Sequence, residues 1–283
     1  MVCLSFRLVP ALAIAIAVAA LGAARPTHAD ACGTVVTLPA HNGTTQSYSL
    51  SAKPAGAHAA LVLLVGGGGF IKLDDAGCAR KLKGNSLIRQ RPTFHEGGLA
   101  TALVDAPSDH QEKDGLGGFR IEADHADDIG KVIVDVRARL GLPVWLAGTS
   151  RGTISAANVA SRLSGPAAPD GVILTSPLTL GFEGGRKPWV AQDVFKLELG
   201  AIKVPLLVIA QEADSCIRTP PELGARIVEQ AASARKQSVV VTGGPTWSGT
   251  KAEACQGKSP HGFIGQEEEV AAGIVRFVKG GNY

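Results

Sequence analysis

The sequence has few aromatic residues and little charge of either sign. Of its 283 residues, 5% are aromatic and 19% are charged, and the formal net charge is +3. Removal of residues 1–29 would take away Arg7 and Arg25 and no acidic residue, which lowers that charge to +1. Because nucleic-acid binding needs a clustered basic face, this composition argues against a nucleic-acid partner and favours a small or neutral one.

The chain also lacks any sign of a division into several domains. After residue 29 it has no internal repeat, no low-complexity tract and no long Pro- or Ser-rich linker. A chain of this length, with 45% hydrophobic residues, can bury one sizeable core. We therefore expect a single domain over residues 30–283.

The N-terminal segment has the pattern of a secretory signal peptide. Arg7 precedes an apolar run, Leu8–Ala24, which only Pro10 interrupts, and small residues at Thr27 and Ala29 suit cleavage after Ala29. We expect residues 1–29 to be removed, and the mature chain to be secreted or periplasmic without stable membrane insertion. An uncleaved membrane anchor is the alternative, although the run is shorter than the ~20 residues that span a bilayer.

Cysteines are few, but their number is even in the predicted mature chain. Cys3 lies in the predicted signal peptide, and Cys32, Cys78, Cys216 and Cys255 remain. In an exported chain this number favours two disulfides over free thiols, which are the alternative. Of the three pairings that four cysteines allow, we expect Cys32–Cys78 and Cys216–Cys255, because each closes within one half of the chain.

Strand and helix patterns alternate along the rest of the chain. Short apolar or β-branched runs, typical of buried parallel strands, lie at Leu61–Val65, Leu99–Val104, Val144–Ala147, Val172–Thr175, Leu206–Ala210 and Ser238–Val241. Helical spacing is found at Glu122–Leu140, Thr153–Leu163, Pro221–Ala234 and Glu267–Val278. The segment Thr34–Ser51, with a turn at Asn42-Gly43, predicts an antiparallel hairpin. This order predicts an α/β fold with a mostly parallel sheet and helices on both faces.

A G-x-S-x-G pentapeptide, Gly148-Thr149-Ser150-Arg151-Gly152, lies between a predicted strand and a predicted helix. At such a turn, small neighbours permit a strained backbone that lifts the serine hydroxyl clear of the sheet. The following helix directs its positive N-terminal end toward negative charge that develops on a substrate. An ordinary Gly/Ser turn is the alternative interpretation.

A serine nucleophile needs a base, and the base needs an acid to orient it. Only one histidine, His261, follows Ser150 in the chain, and it lies between the last predicted strand and the last helix. Asp214 follows the strand Leu206–Ala210, at the sheet edge where Ser150 also emerges. We prefer Asp214 to Glu212 as the acid, because it lies deeper in the loop and its shorter side chain orients a partner more tightly.

In these residues the chain resembles the α/β-hydrolase superfamily, whose triads run in the order nucleophile, acid, histidine. The resemblance implies an eight-stranded-type sheet and an oxyanion hole formed by the amide of Arg151 and by amides of the glycine run Gly66–Phe70. Gly68 and Gly69 are the expected donors of that run. It has no histidine where lipases with an H-G-G-G loop have one, and it fits neither a P-loop nor a dinucleotide fingerprint; a plain flexible loop is its alternative.

Two weaker signals concern metals and a lid. Asp124-His125-Ala126-Asp127-Asp128 could supply metal ligands, but on an amphipathic helix such a run is more often a solvated face, so we expect no metal and no cofactor. The segment around Gly184–Trp189, where related hydrolases insert a lid, is too short for a large cap.

The sequence therefore predicts an exported serine hydrolase that acts on a small acyl substrate, most simply an ester, through Ser150, His261 and Asp214. A serine peptidase with the same triad is one alternative. A binding protein that has the fold without the chemistry is another, because fold alone does not fix function. Oligomeric state and substrate identity are not encoded in these patterns.

Overall fold

The alternating elements form one eight-stranded sheet in a computed structural model of the chain, which describes residues 1–2, 32–251 and 253–283. The strands are β1 (Thr34–Pro39), β2 (Thr45–Leu50), β3 (Ala59–Leu64), β4 (Leu99–Val104), β5 (Val144–Thr149), β6 (Gly171–Thr175), β7 (Leu206–Gln211) and β8 (Lys236–Val241). Their order across the sheet is β1-β2-β4-β3-β5-β6-β7-β8. The pairs β1–β2 and β2–β4 are antiparallel, and all other neighbours are parallel. The predicted mostly parallel sheet is confirmed.

Six α-helices accompany the sheet within the described part of the chain. They are α1 (Ser86–Arg89), α2 (Arg91–Glu96), α3 (Ala123–Leu140), α4 (Gly152–Arg162), α5 (Gly224–Gln230) and α6 (Glu267–Val278). None of these helices has the length and hydropathy needed to cross a bilayer. The segment between β6 and β7 contains only short 3-10 helices and no cap domain, as expected.

Two apolar cores, one on each face of the sheet, explain why the central strands are apolar throughout. Successive side chains of β3 point to opposite faces, so Val62 belongs to the core that includes Ile129 of α3, whereas Leu63 belongs to the core that includes Phe94 of α2 and Phe277 of α6. All of these side chains are buried. Burial of each contributes on the order of 1.5–3 kcal/mol, and a strand that faces two cores needs apolar residues at every position.

Most predicted elements agree with the observed ones, and the differences have local causes. The hairpin forms, with Asn42 at the positive φ of +47° in its turn. The helix predicted over Pro221–Ala234 is shorter, because a 3-10 turn precedes α5 and the chain becomes extended at Ala231 to enter β8. The helices α1 and α2 were missed, since each is too short to show a periodic pattern.

Residues Ala31–Tyr283 form one compact unit. The predicted signal peptide, residues 1–29, falls almost wholly outside the described residues, so it stays a prediction. Both expected cysteine pairs are disulfides in the structure, Cys32–Cys78 with 4.9 Å and Cys216–Cys255 with 4.7 Å between Cα atoms.

Candidate active site

Ser150 occupies a sharp turn between β5 and α4, at a positive φ of +52°. The turn is possible because its glycines leave no side chains to collide. A Cβ on Gly148 would lie 2.4 Å from the carbonyl oxygen of Gly152, and a Cβ on Gly152 would lie 2.0 Å from that of Leu64. The amide of Ser150 donates to the carbonyl of Thr175 at the end of β6, 3.0 Å away, which fixes the turn to the sheet.

Asp214 and His261 form a buried pair at the same edge of the sheet. Asp214 follows β7, and His261 lies in a 3-10 turn, Pro260–Gly262, that precedes α6. His261 Nδ1 lies 2.9 Å from Asp214 Oδ2, and the two side chains are 4% and 1% exposed. Because an ionised carboxylate only accepts hydrogen bonds, this contact places the ring hydrogen on Nδ1 and leaves Nε2 as a base.

Further hydrogen bonds hold this pair in place. The Thr219 hydroxyl donates to Asp214 Oδ2 at 2.8 Å, and its oxygen lies 3.1 Å from His261 Nδ1. The amide of Cys216 donates to Asp214 Oδ1 at 2.9 Å, and the hydroxyl of Ser176 donates to the carbonyl of His261 at 2.7 Å. The carboxylate is therefore satisfied on both oxygens without a cation.

Ser150 and His261 line the wall of one cavity of about 390 Å³. The structure thus brings the predicted nucleophile and base to a shared space, with Asp214 behind the histidine. Within the described part of the chain, the side-chain hydrogen bonds do not include one from Ser150 Oγ to His261. Catalytic hydrogen bonds are often long before substrate binds, so this geometry is compatible with a resting site.

The glycine run after β3 meets the cavity with its first two residues. Gly66 and Gly67 line the cavity, and a Cβ on Gly66 would lie 2.9 Å from Ser150 Cβ. Gly68 and Gly69 lie outside the cavity lining, and the amide of Gly69 already donates to the carbonyl of Gly66 at 3.1 Å. Positive φ angles at Gly67 and Gly69 curl the loop, which turns its second half away from Ser150.

Arg151 contributes its backbone at the start of α4, while its side chain turns away from the cavity. The guanidinium carbon lies 4.3 Å from the centre of the Trp189 ring. Burial and the nearby Arg218 lower the pKa of Arg151. Among the described residues, no backbone hydrogen bond uses the amide of Arg151 or of Gly67.

The disulfide Cys216–Cys255 joins the loops that contain Asp214 and His261. Cys216 lies two residues after Asp214, and Cys255 lines the cavity beside His261. Its sulfur atoms are bonded to each other, so the close group of Asp214, Cys216 and His261 does not offer a thiolate to a metal.

The acidic run on α3 does not converge on a metal site of its own. Asp124 and Asp127 are exposed, whereas His125 is buried and Asp128 contacts His41 and Lys131. Burial, followed by the charges of Arg120, His110 and His41, lowers the pKa of His125 to about 3, so its ring is neutral.

Sequence reasoning missed several residues around the cavity and the Asp214–His261 pair, namely Thr219, Ser176, Asn85 and Lys258, of which the last two line the cavity. Only the position of Thr219, in the loop that starts at Asp214, gave a usable signal. The others come from segments whose meeting depends on the fold.

Comparison with known proteins identifies the fold. No protein-family model matches the sequence, and no curated protein matches it. Similar solved structures include Est1E from Butyrivibrio proteoclasticus, with a TM-score of 0.55 and 15% identity over 88% of this chain and 98% of that one. A dienelactone hydrolase from Anabaena variabilis has a TM-score of 0.52 and 15% identity over 88% of this chain and 97% of its own. A monoacylglycerol lipase from Paleococcus ferrophilus has a TM-score of 0.52 and 18% identity over 82% of this chain and 97% of its own. The chain has the α/β-hydrolase fold.

The Thr219 hydroxyl generates a first prediction. Thr219→Val removes the hydrogen bond to Asp214 Oδ2, and we expect kcat for a p-nitrophenyl ester to fall about tenfold with little change in KM, equivalent to ~1.4 kcal/mol of barrier. Thr219→Ser keeps the hydroxyl and should restore kcat. An unchanged kcat in Thr219→Val, or a loss in Thr219→Ser as large as that in Thr219→Val, would contradict this role of the hydroxyl.

The two disulfides allow a matched comparison. They close loops of similar sequence separation, 39 and 46 residues, so loss of either should lower the free energy of unfolding by about 4 kcal/mol. Only Cys216→Ser/Cys255→Ser should also slow ester hydrolysis at temperatures where both variants remain folded, because only that bond holds Asp214 and His261 together. Urea unfolding and steady-state kinetics measure both effects. Equal activities of the two double variants would contradict the positioning role.

Proposed function

We propose that the chain is an exported serine hydrolase that cleaves an ester or a related acyl bond. One observation carries this proposal: His261, paired with the buried Asp214, borders the same cavity as Ser150, which is held at a positive φ between Gly148 and Gly152. A structural turn and a surface histidine would not need this combination. The fold, shared with a lipase and a dienelactone hydrolase, agrees with it.

In the proposed mechanism, His261 is the base and Ser150 is the nucleophile. Asp214 holds the hydrogen on Nδ1, so Nε2 accepts the proton of Ser150 Oγ as this oxygen attacks the acyl carbonyl. The imidazolium then protonates the leaving group as the acyl bond breaks, which leaves an acyl-enzyme. Water, deprotonated by the same nitrogen, attacks the acyl-enzyme and releases the acid and free Ser150.

The oxyanion of each tetrahedral intermediate is assigned to the amides of Gly67 and Arg151. This replaces the expected pair of Gly68 and Gly69, because Gly67 faces the cavity whereas Gly69 is engaged by the carbonyl of Gly66. The amide of Arg151 lies at the positive end of α4. Loss of one such donor typically raises the barrier by about 3 kcal/mol.

The cavity favours a small, partly polar acyl substrate. Its volume of about 390 Å³ is near the lower end for ligand pockets, and Asn85, Gln256 and Lys258 contribute polar groups to its lining. No cap domain lies between β6 and β7 in the described residues, which leaves the mouth open to solvent.

Export is part of the proposal. It is supported by the signal-peptide pattern of residues 1–29 and by the two disulfides, which persist mainly in oxidising compartments.

The assignment of Ser150 is tested with a fluorophosphonate probe. The wild-type chain should be labelled, whereas Ser150→Ala should not be labelled. The kcat of Ser150→Ala for ester hydrolysis should be lower by at least about a thousandfold. Ser164→Ala, which removes an exposed serine outside the cavity, is the matched control and should behave as wild type. Persistent labelling of Ser150→Ala would refute the assignment, and an unreactive wild type that binds a ligand tightly would favour a non-catalytic binding protein.

Substrate class is tested with p-nitrophenyl esters of increasing acyl length beside a set of peptide amides. Because the cavity is small, kcat/KM should be highest for short acyl chains, and esters should react faster than amides. The Ser150→Ala variant supplies the background rate. Cleavage of the amides without the esters would instead make the chain a serine peptidase.

A further inference from the structure

A second cluster of imidazoles and carboxylates lies outside the catalytic cavity. His41 belongs to the turn between β1 and β2, and Asp109 and His110 belong to the loop after β4. His41 Nε2 lies 2.9 Å from Asp109 Oδ2, and His110 Nε2 lies 3.8 Å from the same oxygen. One ligand atom from each of the three residues lies within 4.8 Å of the other two. None of the three lines the cavity that contains Ser150.

A second contact orients each imidazole toward Asp109. His41 Nδ1 lies 2.5 Å from Asp128 Oδ2, and His110 Nδ1 lies 3.2 Å from the carbonyl oxygen of Gly115. Both of these oxygens only accept, so each ring carries a hydrogen on Nδ1 and directs its Nε2 toward Asp109. Metal-binding histidines almost always have their other nitrogen held in this way.

The contact between His41 and Asp109 is stable only with a positive charge between the two groups. With hydrogen on Nδ1, the Nε2 lone pair of His41 faces a carboxylate oxygen at 2.9 Å, and two acceptors at that distance repel each other. Either a proton on Nε2 or a cation between the groups removes the repulsion. The carboxylate of Asp128 is completely buried and adds negative charge behind the ring.

We propose that His41, Asp109 and His110 bind one divalent transition-metal ion of the zinc type, with Asp128 and the Gly115 carbonyl fixing the two rings. Ligand atoms about 2.1 Å from a tetrahedral ion lie about 3.4 Å apart, and the observed 2.9 Å and 3.8 Å fall on either side of that value. The Asp109 and His110 side chains are 40% and 25% exposed, so the fourth position is open to water. Two imidazoles disfavour Ca²⁺ and Mg²⁺, which prefer oxygen ligands.

This site differs from the acidic run considered in the sequence, which contributes only Asp128 and only as the partner of His41. A bound ion would join the β1–β2 turn, the loop after β4 and α3. That loop also contacts the glycine run, because the amide of Leu116 donates to the carbonyl of Gly68 at 2.8 Å. The ion would therefore be a structural metal that holds these segments together. Its binding does not depend on the chemistry at Ser150.

Metal binding is tested on the full mature chain after treatment with EDTA. Isothermal titration calorimetry should show that one equivalent of Zn²⁺ binds. Added Zn²⁺ should also raise the midpoint of thermal unfolding, because a ligand that binds only the folded state stabilises it. Ca²⁺ should do neither. Substitution with Co²⁺ should give the visible absorption of a four-coordinate ion.

Two conservative variants test whether His110 and Asp109 bind the ion. His110→Phe keeps the ring that stacks on Phe119 at 4.3 Å between centroids but removes the ligand nitrogen, and Asp109→Asn keeps the shape but removes the charge. Each should weaken Zn²⁺ binding by more than about 100-fold, since loss of an outer partner alone costs ~10–100-fold. Asp127→Asn, an exposed change on the same helix as Asp128, should bind as wild type. His261→Ala should also bind as wild type, which distinguishes this site from the catalytic histidine.

Three results would overturn the proposal. Absence of Zn²⁺ binding in the wild type would mean that a proton on His41 occupies the bridging position. Unchanged binding by both His110→Phe and Asp109→Asn would place the ion elsewhere. Loss of Zn²⁺ binding in His261→Ala alone would place the ion in the catalytic cavity. None of these three results would contradict the proposed hydrolase activity.

Discussion

Where β5 turns into α4, backbone packs directly on backbone, with no room for a single methyl group. A Cβ on Gly152 would lie 2.0 Å from the carbonyl oxygen of Leu64, and a Cβ on Gly66 would lie 2.9 Å from the Cβ of Ser150. This close approach brings the start of α4 and the first half of the glycine run to either side of Ser150. The positive φ of Ser150 costs on the order of 1 kcal/mol, a strain that the surrounding buried sheet can hold.

Asp214 and His261 reach this point from loops that follow different strands. Asp214 is held by the amide of Cys216, the hydroxyl of Thr219 and the ring of His261, so its position is set by several contacts rather than one. The disulfide Cys216–Cys255 ties the same two loops covalently. Such over-determination suits a site in which an error of about 1 Å can slow the chemistry about 100-fold.

Local patterns were sufficient to predict the sheet, and they selected Ser150, Asp214 and His261, which the structure places near one another at one edge of that sheet. Central strands such as β4 and β7 face two cores, so their uninterrupted apolar runs identify them as strands. The pentapeptide around Ser150 is recognisable because its five residues are consecutive in the sequence. The order of strands also indicated which loops would carry Asp214 and His261. The short helices α1 and α2 gave no period, and α5 ended early because the chain had to reach β8.

What the local patterns did not reveal depends on contacts between distant segments. Gly68 and Gly69, the expected donors, lie outside the cavity lining, and positive φ angles at Gly67 and Gly69 curve the loop that contains them. The grouping of His41 with Asp109, His110 and Asp128 joins three separate elements, and no single stretch of sequence contains its spacing. Local propensity and periodicity carry no information about either arrangement.

The most direct measurement is a crystal structure of the chain after reaction with a fluorophosphonate. The proposed mechanism predicts a phosphorus–oxygen bond to Ser150 Oγ, a phosphonyl oxygen within hydrogen-bonding distance of the amides of Gly67 and Arg151, and His261 Nε2 directed at the same phosphorus. An adduct on another residue, or a His261 ring turned away from the modified serine, would contradict it.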